Sequence, residues 1–589
     1  MPNVRISRRA FLSSSAAAAA GASWFCTPEF WTPEALAQMP MPAPSGATGQ
    51  KLDNYVAAYM RAMNAPGLTL GITDTTKTVR TAAYGFADIE ERKPVTTDQL
   101  FQIGSITKSF VAMVLLQLRD EGKLDLEKPV LDYLPGLPII TEFGPVTTHA
   151  LLTHTSGLPD NLSLFSADPA ARLLQGFKPG EHFHYCNAGF DILGELAEKL
   201  DGRPWRECVD ERIFKPLEMS QTRGVITTAD RARAAIGYEP YWDDQVYARQ
   251  GKLARAPNLV MDDTAGCIQS TPGDMARYAR MLLNGGNGPA GRIVSQESFK
   301  RMTTPYIKAE EFSATASYGY GIAVDTLDGH RILRHTGGMV AFASSIHVDM
   351  DGGMAAFASI NAMQGYRPTA VTEYAVRLAR AERESRLLPP GPAIEDPQEV
   401  KNASDYAGTF TSPDGLKLVF AAHGRRLSLV DGTEMVPLQR GADDIFLSTR
   451  AGDHAEYPFV FRRAGDDGDT DADAKRDKPA PPVLEVSYGP QWYAGSQYQG
   501  ARTFRVPDQY ARYVGRYQSD SAWGGASRVY VVKDGLTVDG APLTQIGGAL
   551  FRMGEDAWSP LTAEFLHVFE GKARLMRLAG ENYWRVDVE

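Results

Sequence analysis

Ser105 and Lys108 stand three residues apart in Phe101-Gln-Ile-Gly-Ser-Ile-Thr-Lys-Ser-Phe110, and the apolar run Val111-Ala-Met-Val-Leu-Leu-Gln-Leu118 follows directly. This pattern predicts a helix that carries a hydroxyl and an amine on one face of its first turn. Ile106, Phe110, Val111, Met113, Val114, Leu115, Leu116 and Leu118 make that helix apolar nearly all round, so it belongs inside a larger domain. A lysine held at the positive end of a buried helix loses its proton more readily than a free one. A neutral amine beside a serine hydroxyl is a base beside a nucleophile. The same spacing also fits an ordinary helix start with a lysine turned to water.

Three further motifs bear on that choice: Leu151-Leu-Thr-His-Thr-Ser-Gly-Leu158, Tyr185-Cys-Asn187 and His335-Thr-Gly-Gly338. In this order and spacing the chain resembles the serine β-lactamase and penicillin-recognising hydrolase family. The likeness is greatest to the branch of class C β-lactamases, DD-peptidases, D-aminopeptidases and β-lactamase-type esterases, and it extends from about Lys51 to Glu382. The resemblance implies that Ser105 is acylated, with Lys108 as its partner in proton transfer. Tyr185 would be the second acid/base group; a phenol of ordinary pKa about 10 needs nearby cations to serve in that way. Asn187, two residues on and on the same side if the segment is extended, would hydrogen-bond a substrate amide or ester. The N–H groups of Ser105 and Gly338 would form an oxyanion hole, with His335, Thr336 and Gly337 lining the substrate side of that strand. Glycines there would let substrate lie against bare backbone.

His335 departs from the lysine that many β-lactamases and DD-peptidases carry here to attract a substrate carboxylate. Histidine is mostly neutral at pH 7, which makes such an anchor weaker or pH-dependent. By resemblance, His-x-Gly and trailing β-barrel domains are shared with D-aminopeptidases and some esterases. The expectation is therefore a D-aminopeptidase- or DD-peptidase-like hydrolase of small peptides, amides or esters that need not bear a free carboxylate, including cell-wall fragments. The alternatives are a β-lactamase or carboxylesterase of the same fold. From another class, a non-catalytic peptidoglycan- or peptide-binding relative would need none of Ser105, Lys108 and Tyr185. No metal or cofactor is implied: His182-Phe-His184 has metal-like spacing but no accompanying carboxylate or third histidine.

These residues need a scaffold, and 589 residues hold more than one core. A 43% hydrophobic and 22% charged composition is that of a globular chain, and a net charge of −10 without a basic cluster argues against nucleic acid as partner. Arg8-Arg9, an Ala/Ser stretch to Phe25 and Ala35-Leu-Ala37 read as a twin-arginine signal cleaved after Ala37, which predicts a periplasmic or secreted protein without a membrane span after processing. Cys186, Cys208 and Cys267 would remain, an odd number that excludes a full disulfide framework and leaves one bridge open.

Residues 1–37 are read as signal peptide, 38–50 as linker and 51–388 as the catalytic domain. The expected fold class is α/β (α+β): an antiparallel sheet flanked by helices, completed late by the returning chain, with a helical lobe. Thr271-Pro-Gly-Asp274 reads as a helix start with a capping box. After a linker at 389–400 the pattern turns all-β and repeats. Tyr406-Ala-Gly-Thr-Phe410 returns as Tyr513-Val-Gly-Arg-Tyr517, Leu427-Ser-Leu-Val-Asp-Gly432 as Leu536-Thr-Val-Asp-Gly540, Pro437-Leu438 as Pro542-Leu543, and Phe446 as Phe551. Two small barrel or sandwich domains are predicted, at 401–504 with an acidic loop at 465–478, and at 505–589.

Overall fold

The computed structural model describes residues 39–586 apart from 44–45, 161–171, 241–252, 363–366, 450–453, 455, 466–479, 520 and 522–523. The signal segment and the acidic loop lie outside the described residues. Among the described residues, no helix is long and apolar enough to cross a membrane. The chain divides into two compact units near residue 394.

The larger unit is built on a nine-stranded sheet. Its strands are β1 (Gly67–Asp74), β2 (Thr78–Asp88), β3 (Lys93–Pro94), β4 (Ile307–Lys308), β5 (Ser317–Tyr318), β6 (Ala323–Leu327), β7 (His330–Gly338), β8 (Ala343–Asp349) and β9 (Met354–Ile360). Their spatial order is β4-β5-β6-β7-β8-β9-β1-β2-β3. The chain's return is the antiparallel pairing of β9 with β1, Leu68 opposite Ile360 and Asp74 opposite Met354. Both faces are covered, and side-chain alternation divides the apolar residues between them. Ala355 and Phe357 join the core that contains the Ser105 region. Met354, Ala356, Ala358 and Ile360 join a second core with the helices α1 (Gly46–Ala62) and α5 (Thr369–Arg383).

Three helices complete the inner core: α2 (Thr107–Asp120), α3 (Asn187–Asp201) and α4 (Pro272–Leu283). Helix α2 is apolar on every side because it is buried on every side; Phe110, Val111, Met113, Val114, Leu115, Leu116 and Leu118 are all fully inaccessible. Gly202 ends α3 in the left-handed conformation that such a terminus favours.

The start of α4 departs from the capping box. Thr271 does cap it, accepting from Asp274 N, but the Asp274 carboxylate does not close the box: its Oδ1 accepts from Arg277 on the same helix at 3.0 Å. Its Oδ2 accepts from Gln221 N at 2.8 Å, Thr222 N at 2.9 Å and Thr222 Oγ1 at 2.9 Å. A local motif has become a clamp on a loop some fifty residues earlier, which brings three donors to one carboxylate oxygen. The three cysteines are free and buried, so no bridge forms among them.

The second unit contains two closed antiparallel barrels of eight strands each. The first runs from Gly408–Thr411 to Gln491–Ala494 and the second from Gly515–Ser519 to Glu581–Val586. The sequence repeat maps strand on strand. Leu427–Asp431 and Leu536–Val538 lie in the third strand of each barrel, Pro437 and Pro542 in the fourth, and Phe446 and Phe551 in the fifth. Closure leaves no sheet edge to protect. Each interior is filled by side chains: Phe410, Phe420, Phe446, Phe459 and Phe461 in one, and Tyr513, Tyr517, Phe551, Phe565 and Tyr583 in the other.

Asp274→Ala takes the acceptor from Gln221 N and the shorter bond from Thr222 N, which keeps Met219 O at 3.2 Å, and breaks the ion pair with Arg277. It is expected to lower unfolding free energy by about 3 kcal/mol, measured by urea denaturation, without changing the secondary-structure content.

Candidate active site

Ser105 is not in the α-helix itself. Phe101–Gln102 pair as a short strand with Gln269–Ser270, and Gly104–Ile106 then form a single 3-10 turn that runs into α2. Ser105 in the turn and Lys108 in the first turn of α2 are three residues apart, and their side chains meet at 3.1 Å. Lys108 is 0% exposed. Its Nζ has three oxygens around it: Ser105 Oγ at 3.1 Å, Asn187 Oδ1 at 2.7 Å and the Ala265 carbonyl at 2.7 Å. The alternative of a lysine facing water is overturned.

The two carbonyl-type oxygens take two hydrogens of Nζ in either charge state, since neither oxygen can donate. The third direction faces Ser105 Oγ. A neutral amine presents its lone pair there and an ammonium presents a hydrogen, so one geometry serves proton uptake and return.

The two residues that supply the carbonyl-type oxygens, Asn187 and Ala265, are each held by a carboxylate. Asp160 Oδ1 accepts from Asn187 Nδ2 at 2.8 Å and from Asn187 N at 3.0 Å, which fixes the amide with its oxygen on Lys108. Asp191 Oδ1 accepts from Ala265 N at 2.9 Å. Desolvation and then the charge of Asp263 push the Asp191 carboxyl up to about 7, against the pull of the Ala265 N–H and Lys108.

Asn187 corrects the expected geometry. It does not lie on an extended strand with Tyr185 but is the first residue of α3. Cys186 is the N-cap: its Sγ accepts from Gly189 N at 3.1 Å and its thiol donates to Pro159 O at 3.1 Å. A thiol in this role leaves no Ser/Thr/Asp/Asn signature, so the helix start was hidden.

Tyr185 is half-buried, and its ring centroid lies 4.9 Å from Lys108 Nζ. His154 lies against it at 4.2 Å between centroids. The backbone of His154 is left-handed (φ 58°), its Nδ1 accepts from Cys186 N at 3.0 Å, and its carbonyl accepts from His184 N at 2.8 Å. The Leu151–Leu158 motif thus holds the segment that carries Tyr185.

Strand β7 brings His335, Thr336, Gly337 and Gly338 beside the Ser105 turn. Gly337 is glycine for a reason other than substrate access. A Cβ there would stand 1.8 Å from Ile103 O and 2.3 Å from Ser344 Oγ, so the nucleophile turn itself occupies the space. From the other side, Gly104 has φ +55°, and a Cβ on it would meet Gly338 N at 2.6 Å. Ser344 Oγ donates to Ile103 O at 2.6 Å, and Ile103 N donates to Ile268 O at 3.0 Å. Backbone is packed on backbone here, and the N–H groups of Ser105 and Gly338 share one neighbourhood as a result.

His335 is 1% exposed. Its Nε2 lies 2.8 Å from the Tyr318 hydroxyl and its Nδ1 lies 2.6 Å from Thr336 O. Thr336 contributes that carbonyl, and its side chain is half-buried. Asp160, Ala265, Asp191 and Tyr318 were missed by sequence reasoning. Asp160 follows directly on the Ser156-Gly-Leu-Pro run and was legible in principle. Ala265 acts through its backbone and carries no side-chain signal.

The beta-lactamase family model matches residues 52–381. The chain therefore belongs to the beta-lactamase family, whose members are serine hydrolases. Among curated relatives, "Penicillin-binding protein 4" of Amycolatopsis lactamdurans is 31% identical over 261 residues, 40% of this chain and 65% of that one. A "D-aminopeptidase" of Cereibacter sphaeroides is 29% identical over 309 residues, 49% of this chain and 56% of that one. The matches thus span between about half and two thirds of these relatives' own length. Among solved structures, the octameric penicillin-binding protein homologue from Pyrococcus abyssi shares the fold, with a TM-score of 0.50 and 23% identity over 75% of this chain and 99% of that one.

Gly337→Ala forces the Ile103 carbonyl, and Ser105 with it, off strand β7. A loss of about 1–3 kcal/mol in stability is expected, together with at least a ten-fold slower reaction of Ser105 with a fluorophosphonate, read by mass spectrometry.

The carboxyl of Asp191 is raised on folding, so the native state holds its proton more tightly than the unfolded chain does. Its favourable contribution is complete below the ordinary value of 3.8 and is lost as pH climbs through about 7. Asp191→Asn, which keeps the acceptor for Ala265 N, should melt with wild type near pH 4 and above wild type at pH 8. Identical melting at both pH values would contradict the assignment.

Proposed function

We propose that this protein is an exported serine hydrolase that works through an acyl-enzyme on amides and esters, D-aminopeptidase- or DD-peptidase-like in its substrates. The observation that carries the reading is Lys108 Nζ, sealed from water and set on Ser105 Oγ by two fixed carbonyl acceptors. A binding module has no use for an amine buried against a serine hydroxyl.

In this reading Ser105 Oγ passes its proton to Nζ and bonds to the substrate carbonyl carbon. The oxyanion takes hydrogen bonds from the N–H groups of Ser105 and Gly338, a contribution of about 3 kcal/mol for each well-placed donor. The amine or alcohol leaves with a proton delivered through Lys108 and Tyr185, and the C–N or C–O bond breaks as the acyl-enzyme forms. Water then gives up a proton to the same pair and attacks the ester, which frees Ser105.

Substrates without a free carboxylate next to the scissile bond suit this site best. The place of a cationic anchor is taken by His335, a buried imidazole with both nitrogens already engaged. The name of the D-aminopeptidase relative points the same way. The twin-arginine pattern of Arg8-Arg9 supports export to the periplasm or medium.

Ser105→Ala and Lys108→Ala are each expected to reduce turnover of D-amino-acid amides and short esters by at least a thousand-fold while circular dichroism and melting stay near wild type. Full activity in either variant removes the mechanism. Nitrocefin cleaved at rates typical of β-lactamases, with amides and esters ignored, would overturn the substrate class.

A further inference from the structure

Tyr318 lies on β5, two strands from His335 on β7, and nothing in the chemistry above uses it. It is fully buried. Phe183, Ala309 and Ala323 pack with it, and Tyr185 and Phe312 lie against that cluster. Its hydroxyl meets His335 Nε2 at 2.8 Å. On the other side of the imidazole, Nδ1 meets the Thr336 carbonyl at 2.6 Å.

The roles in this chain follow from chemistry. A carbonyl oxygen only accepts, so Nδ1 carries a hydrogen. A buried hydroxyl needs an acceptor for its own hydrogen, and the atom in front of Tyr318 is Nε2. Nε2 can accept only when the ring is neutral; an imidazolium would turn a second donor onto the hydroxyl and leave its hydrogen facing N–H. We propose that Tyr318 is a positioning and specificity residue: it holds His335 as the neutral, Nδ1-protonated tautomer, so the cleft offers no cation to a substrate carboxylate. This rests on the hydrolase reading above and gives it a physical cause.

The groups that face this pair are consistent with that assignment. Tyr185 approaches the His335 ring at 6.4 Å and Phe312 at 5.1 Å between centroids. His154 lies 4.9 Å from the Tyr318 ring. The buried Lys108 Nζ lies 4.9 Å from the Tyr185 ring, and in its protonated state it opposes a positive charge on His335. Glu311 is the carboxylate whose charge reaches Tyr318 and would favour a cation here. Burial, and then Tyr185 and Glu311, push the Tyr318 phenol well above its usual range, which keeps its hydrogen in place as a donor.

Two measurements test the proposal. The first needs no catalysis. In full-length protein labelled with 15N in the histidine rings, His335 is assigned by the signals that vanish in His335→Gln. Wild type should show a protonated Nδ1 and a bare Nε2 throughout pH 5.5–8. Tyr318→Phe should show a mixture of tautomers and protonation as pH falls. A wild-type ring that is Nε2-protonated or cationic at pH 7 overturns the assignment, whether or not the variant folds.

The second compares kcat/KM for a D-amino-acid amide with that for the matching dipeptide bearing a free carboxylate. The ratio should be flat with pH in wild type. In Tyr318→Phe it should move about ten-fold toward the carboxylate substrate between pH 8 and pH 5.5, through KM. His335→Lys should favour the carboxylate at every pH. An unchanged ratio and profile in a Tyr318→Phe protein that melts normally and still labels at Ser105 overturns the specificity role. If wild type turns over neither substrate, the hydrolase reading fails, and the ring spectra still decide the tautomer.

Discussion

A nitrogen that can carry charge has been taken out of water at Lys108, and most of the surrounding architecture answers that one fact. Desolvation of an ammonium costs several kcal/mol even after relaxation, and it is recovered only if every hydrogen of the group finds an oxygen. Three oxygens are supplied, and they come from segments far apart in the chain: the turn at Ser105, the first residue of α3 at Asn187, and the backbone at Ala265. None can shift without exposing a cost at the other two. The two carbonyl partners are each fixed by a further contact. Asp160 holds Asn187, Asp191 holds Ala265, and Thr264 Oγ1 donates to Phe190 O to tie the Ala265 segment to α3.

The Ser105 side of the arrangement is held by steric means instead. The turn is wedged between β7 and the short strand at Gln269–Ser270, with Ile103 bonded to both Ser344 and Ile268. Gly104 and Gly337 make this possible because backbone from each element occupies the other's Cβ position. The sheet that presents β7 is completed only when β9 pairs with β1, so the oxyanion donors depend on contacts that span almost the whole domain. Such long-range pairing is slow to form but rigid once made.

What could be read from sequence follows from this division. Local features were legible: the all-round apolar α2, the Thr271-Pro272 helix start and the strand-by-strand repeat of the two barrels. The motifs around Ser105, Tyr185, Asn187 and His335 named the principal side chains of the site. Features that depend on a distant partner were not legible. Asp274 looked like a capping-box residue until the 221–222 loop claimed it. Asn187 looked like a strand residue because a cysteine thiol capped its helix. Gly337 looked like a substrate-facing glycine because the Ile103 carbonyl that occupies its Cβ position lies more than two hundred residues earlier. Tyr318 gave no signal at all, since its meaning lies in a hydrogen bond across two strands.

The manner in which Asp160 and Asp191 are placed bears on how Lys108 would act as a base in the proposed mechanism. A carboxylate in direct contact with Nζ would hold it as ammonium and leave Ser105 facing a donor permanently. Here the two nearest carboxylates act through intermediaries: Asp160 through the amide of Asn187, and Asp191 through residue Ala265. The Asn187 amide that donates to Asp160 is the one that accepts from Lys108, so this acceptor is polarised as well as oriented, while Asp191 fixes the Ala265 segment through a separate peptide group. The same principle operates at the far side of the cleft, where Tyr318 and the Thr336 carbonyl satisfy His335 with neutral groups. Both ends of the site are thus built from dipoles in preference to ion pairs. In the proposed mechanism this lets Lys108 exchange its proton with Ser105, and the proposed substrates are those selected by shape and hydrogen bonding more than by charge.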